Sequence, residues 1–272
     1  MSATTYAPQT TTGSKLGFGG IVRSEWIKFR SVRSSVWSLS IFLGLSLLMA
    51  FLISALPEIL DVTPSVEQSE ATFIQSSTIG ATVGAIVMAV LGVLVISGEY
   101  SSGMIRSTFA AVPRRLPVLA AKAVVLFTVT FIIGLASSFG SALLVYPNLV
   151  GRGLEPAFTS NVVIALVLSA LYVSLVAVFA LGVGAIVRNS AGGVSAALGV
   201  LLVLPTMLLM IGGLTQIEWI TEMTQYLLNA AGESMFSPAA EGMARVQDVV
   251  TTVLWAAVPL AIGAVLITRR DA

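Results

Sequence analysis

Six apolar runs, at about 36–56, 78–97, 119–145, 162–187, 191–213 and 249–268, divide this 272-residue chain. Each is near or above the ~20 residues that a helix needs to cross a bilayer. Composition agrees: 56% of residues are hydrophobic and 10% charged, where an ordinary globular domain has about 25% charged residues. Mean hydropathy is +0.97. The expected fold class is therefore an all-α membrane protein with six transmembrane helices. Only Arg188, Asn189 and Ser190 separate the fourth and fifth runs, which makes those two spans a tight hairpin.

Charge decides the orientation. Under a six-span topology Lys15, Arg23, Lys28, Arg30, Arg33, Arg106, Arg114, Arg115, Lys122, Arg188, Arg269 and Arg270 fall on one side, and only Arg152 and Arg245 on the other. The positive-inside rule then puts both termini in the cytoplasm, as expected of a multi-pass protein of the plasma membrane. Glu58, Asp61, Glu67, Glu70, Glu155, Glu218, Glu222, Glu233, Glu241 and Asp248 sort to the outside.

Within the six runs the sole charge is Lys122, near the cytoplasmic end of the third. An ion at mid-bilayer costs about 2.5–3.5 kcal/mol and marks a proton or ion path, so its absence argues against a coupled carrier. The chain has no Cys and no His, which excludes disulfides, thiolate or imidazole metal sites and histidine base catalysis. No GxxxxGK[ST] stretch occurs, so ATP chemistry would belong to another chain. No catalytic, cofactor-binding or metal-binding residue is expected here.

The segments around the spans also carry structure. Residues 1–17 are rich in Thr and Ser and read as a disordered cytoplasmic tail. From Phe18, helical spacing places Phe18, Val22, Trp26, Phe29 and Val36 on one side, with Glu25 and Arg33 intruding. That predicts an interfacial helix anchored by Trp26 and by Arg23, Lys28 and Arg30 at the headgroups, or else a plain basic juxtamembrane anchor. The outer connection 214–248 is apolar at Ile217, Trp219, Ile220, Met223, Tyr226, Leu227 and Leu228 before Gly232. It reads as short helices at the outer interface, or re-entrant ones if protein covers them, with a second short helix possible after Pro238.

Small residues are spaced for close helix packing: Gly80 with Gly84, Ala136 with Gly140, and Gly182, Gly184, Gly192 and Gly193 about the hairpin. Packing within one subunit is the expected use. Hydroxyls at Thr78, Thr82, Thr128, Ser137 and Ser141 are candidates to line a polar path, or else bond back to helix carbonyls.

The stretch 98–118 interrupts the apolar pattern with an acid, a glycine, a short helical segment, a proline and a basic pair. Glu99, Gly103, Met104 to Ala111, Pro113, Arg114 or Arg115, and then Lys122 leading into the third span, resemble the first cytoplasmic loop of type-2 ABC (ATP-binding cassette) transporter permeases. Arg23 to Trp37, RSEWIKFRSVRSSVW, is similar to the connecting helix of such permeases from high-GC Gram-positive bacteria. The resemblance departs from the family where Tyr100, Ser101 and Ser102, rather than further charge, follow Glu99.

The resemblance implies a single permease domain over 18–272, present as two like or homologous copies, resting on two ATP-binding subunits that hold ATP and Mg. It implies a mechanical role for the 98–118 segment: Glu99, Gly103, Met104, Arg106, Pro113, Arg114 and Arg115 would meet the ATPase. Glu99 would make a charge-assisted contact with Arg106, Arg114 or Arg115. The expected function is export of a hydrophobic or amphipathic molecule, such as a drug, peptide or lipid. An ion-coupled carrier or channel, and a membrane scaffold that transports nothing, are the alternatives.

Overall fold

The computed structural model describes residues 17–55, 68–240 and 242–269, and among them every regular element is a helix. The expected tail, apart from Gly17, lies outside the described residues. The elements are α1 (Phe18–Ser31), α2 (Arg33–Ala55), α3 (Ser69–Ser101), α4 (Met104–Ala111), α5 (Arg115–Val150), α6 (Ser160–Val187) and α7 (Ser190–Leu198). A π-helical turn, Gly199–Val203, leads into α8 (Leu204–Thr215), followed by α9 (Glu218–Thr224), α10 (Leu228–Ser234) and α11 (Gly242–Arg269). Six helices are long and apolar enough to cross a membrane: α2, α3, α5, α6, α7 with α8, and α11.

The helices outrun the apolar runs that announce them. α3 has 33 residues and α5 has 36, or about 50 Å at 1.5 Å per residue, against a hydrocarbon core of ~30 Å. Their polar ends stay helical because neighbouring helices cover them: Ser69, Ser76 and Ser77 are buried at one end of α3, and Glu99 at the other. The expectation that Lys122 is the sole charge within the spans is corrected accordingly. Glu99 lies in the last turns of α3 and Lys122 in the third turn of α5, both inside spanning helices.

α3, α5 and α6 form the centre, and α2, α7 with α8, and α11 surround it with faces left open. Small residues set the spacing. A Cβ at Gly92 on α3 would strike the Ala177 carbonyl of α6, so only glycine permits that approach. Gly80 and Gly84 face Ser46 and Phe42 of α2, the expected packing within one subunit. Ala136, by contrast, is exposed.

The hairpin forms where expected. Arg188 adopts a left-handed conformation, φ 58°, that ends α6, and the Asn189 side-chain oxygen accepts from the Gly192 N–H at 2.9 Å to start α7. The π turn in the fifth span precedes Pro205. A proline supplies no N–H and its ring crowds the carbonyl four residues back, Leu201, so the preceding turn widens.

α9 and α10 occupy the connection before the last span. Ile220, Leu227, Leu228, Ala231 and Met235 are buried while Trp219, Met223 and Tyr226 remain exposed. Gly232 sits inside α10 against the ring of Tyr172, which lies twelve residues into α6. The Trp255 indole of α11 donates to the Tyr226 carbonyl at 2.8 Å. α10 thus packs against α6 and α11, whereas α9 lies against α8 and buries only Ile220. The second short helix precedes Pro238 rather than following it, and α11 begins at Gly242.

Candidate coupling site

α1 is amphipathic, but its protein-facing stripe differs from the predicted one. Ile21, Glu25 and Phe29, spaced four apart, are buried, whereas Phe18, Trp26 and Ile27 are exposed. Glu25 therefore does not intrude on an apolar face; it is the centre of the face that packs inward. Ile21 joins Val118 and Ala121 of α5 in a small apolar cluster, which fixes α1 across the start of that helix.

That placement closes a ring of four charges. Lys28, one turn after Glu25, donates to Glu25 Oε1 at 2.8 Å and to Glu99 Oε1 at 3.2 Å. Lys122 donates to Glu25 Oε2 at 2.6 Å and to Glu99 Oε1 at 2.7 Å. Signs alternate around the ring, and its charge sums to zero. Glu25, Glu99 and Lys122 are each less than 5% exposed, so these are ion pairs in a low-dielectric setting. Glu99 thus pairs with lysines from α1 and α5, not with Arg106, Arg114 or Arg115. Lys28 likewise turns inward from the headgroup position expected of it, while Arg23 and Arg30 are exposed as an anchor requires. Burial pulls the Lys28 amine down, but the Glu25 hydrogen bond and the charges of Glu99 and Glu25 outweigh it and raise its pKa, which secures the ammonium form.

Lys28 also donates to Thr108 Oγ1 at 3.1 Å, which ties α4 to the ring. With Glu25, Glu99 and Thr108 as acceptors, the three N–H bonds of Lys28 are all used. α4 leaves α3 through Gly103, whose φ of +73° belongs to the left-handed region that glycine tolerates. It ends before Pro113, because a residue preceding proline avoids the helical conformation. Ile105 is buried beneath α4, and Met104, Arg106, Ser107 and Arg114 are exposed.

Arg115 turns the other way. Its Nη1 donates to the Ile267 carbonyl of α11 at 3.0 Å, and its guanidinium lies 5.3 Å from the ring centroid of Phe109 on α4. Arg188 mirrors it, donating to the Leu266 carbonyl at 3.1 Å and lying 5.2 Å from the Tyr100 ring centroid. The two arginines meet carbonyls at the C-terminal end of α11, where helix carbonyls lack partners and favour cations.

The hydroxyl candidates are dispersed. Thr78 and Ser137 share a seam with Ser77, Ser138 and Ser169 that is too tight to admit a water molecule. Thr78 donates to the Ile74 carbonyl at 2.8 Å, the back-bonding fate. Thr82 is half-buried, Ser141 is buried, and Thr128 is exposed in a groove beside Val22 and Trp26.

Glu25, Thr108 and Arg188 are the participants that sequence reasoning missed. The available signal for Glu25 was its register with Ile21 and Phe29; Thr108 and Arg188 left none. α4 is thus tied to α1 by the Lys28–Thr108 hydrogen bond, and α1 is tied to α3 and α5 by ion pairs. A family model described as ABC-2 family transporter protein matches residues 20–272, and the chain belongs to that family. It is therefore an ABC transporter permease subunit, a multi-pass membrane protein. No curated protein matches the sequence.

Proposed function

We propose that the chain is the permease of an ATP-driven exporter, with α4 as the helix that an ABC ATP-binding subunit moves. The observation that carries this reading is the ion ring. Thr108 of α4, Glu25 and Lys28 of α1, Glu99 of α3 and Lys122 of α5 are joined by bonds of 2.6–3.2 Å. A push on α4 would reach three helices at once, since buried pairs resist separation. Arg115 extends the same linkage from Phe109 to α11.

In this reading Gly103, Met104, Arg106, Pro113 and Arg114 meet the cleft of the ATPase, while Glu99 and Arg115 transmit the displacement. Two ATPase subunits hold ATP and Mg, and two permease copies, alike or homologous, face each other in the plasma membrane with both termini cytoplasmic. Exposed apolar side chains at Met207, Leu209, Met210 and Leu214 fit a second copy or lipid. The tight seam at Thr78 and Ser137 supports a path between copies rather than through one. The cargo is hydrophobic or amphipathic, in keeping with the largely uncharged span interiors.

Co-purification in nanodiscs, with ATPase activity and transport assayed for the wild type and for Glu99→Ala with Arg106→Ala, tests this. A stoichiometric ATPase is expected, with hydrolysis uncoupled from transport in the variant. Recovery of the chain alone, with transport that needs no ATP, would overturn it.

A further inference from the structure

Beside the ion ring a cavity of ≈ 250 Å³ opens between α1, α3 and α5. That is far more than the ~10–15 Å³ one water needs, and close to the ~300 Å³ at which small-molecule sites begin. Phe29, Leu94, Val95 and Val125 make its walls mostly apolar, and Gly98 leaves space where a side chain would project. Its polar lining is Ser34, Ser35, Ser102 and the four ions of the ring, among them the Glu99 carboxylate. Oε1 of that carboxylate takes both lysines, while Oε2 is buried and has no hydrogen-bond partner among the described residues. A buried carboxylate oxygen left unpaired costs free energy that a donor would recover.

We infer that this cavity binds an uncharged, hydroxyl-headed amphiphile, its O–H donating to Glu99 Oε2 and its chain lying against Phe29, Leu94, Val95 and Val125. Charge selects this class. Two carboxylates already balance two ammoniums, so an added cation or anion would be buried without a counter-ion. Lys28 has no N–H to spare for a phosphate, and Lys122, with two of its three used, has one. A neutral hydroxyl satisfies the orphan oxygen and leaves the ring balanced. Such a ligand could come from the adjoining leaflet as a diacylglycerol or from water as a short-chain alcohol. The inference needs neither ATP nor an ATPase subunit, so its failure would leave the lever reading untouched.

The test is photolabelling of the full chain in nanodiscs, without ATP. The probes are a diazirine diacylglycerol, a diazirine ten-carbon alcohol and the matching ten-carbon amine. Saturable labelling of the peptide around Leu94–Met104 by at least one hydroxyl probe is expected, competed by its unlabelled form and exceeding the amine by about tenfold, the effect of one hydrogen bond to a charged group. Which hydroxyl probe labels assigns the source. Gly98→Leu and, separately, Leu94→Trp fill the space without touching the ring, and each should cut labelling by about tenfold at an unchanged melting temperature. Labelling unaffected by both fillings, led by the amine, or not saturable would overturn the inference.

Discussion

Removing the Lys122 ammonium would leave Glu25 and Glu99 buried with Lys28 alone between them. Breaking such a pair costs roughly 3–5 kcal/mol, because a carboxylate remains uncompensated. Lys122→Met should therefore lower the melting temperature sharply. Glu25→Gln combined with Lys122→Met should cost clearly less than the sum of the two single changes, since residues in one ionic network couple. Thermal unfolding of the purified chain in nanodiscs reads both; additive losses would mean that the ring is not a unit. Sequence made Lys122 and Glu99 visible as charges at span ends, but not as partners. Pairing depends on α1 lying across α5, and that angle is set by the contact of Ile21 with Val118 and Ala121.

α3 is the element on which packing and charge converge, and its glycines separate two physical roles. At Gly92 an added methyl would meet the backbone of α6, so Gly92→Ala should destabilise by roughly 1–3 kcal/mol, the usual effect of overpacking. At Gly98 the methyl meets open space, and Gly98→Ala should be neutral or stabilising by up to about 1 kcal/mol through helix propensity. Melting temperatures of the two variants should move apart. The element itself was legible: apolar length announced six spans, and the GxxxG spacing of Gly80 and Gly84 announced close packing. Its ends were not, because hydropathy registers the residues that face lipid, whereas Ser69 and Glu99 stay helical under cover of protein.

At the scale of the molecule, Arg115 and Arg188 connect the α4 end of the bundle to the last turn of α11. Replacing either with Ala should speed hydrogen exchange at Leu266–Thr268 by roughly tenfold while the middle of α11 stays protected, since each contributes a charged hydrogen bond to the last turn of the helix. Equal protection in wild type and variants would show that α11 is held by its apolar packing alone. Both arginines counted toward topology in the sequence, and one of them toward partner contact. Their inward direction follows from α11 returning beside α6, with Gly263 packed close to Ala185.

The amino-acid sequence by itself determined that the chain crosses a membrane as six helices, that the fourth and fifth form a hairpin, and that a glycine-to-proline segment makes a short helix between two spans. These follow from local quantities: apolar length, turn residues and charge count along the chain. The tertiary structure decided that Glu25 faces inward, that Glu99 joins lysines from two other helices, and that Thr78 and Ser137 share a seam apart from the groove of Thr128. Those outcomes depend on which helix faces meet, and a face becomes interior only when the neighbour that buries it is in place.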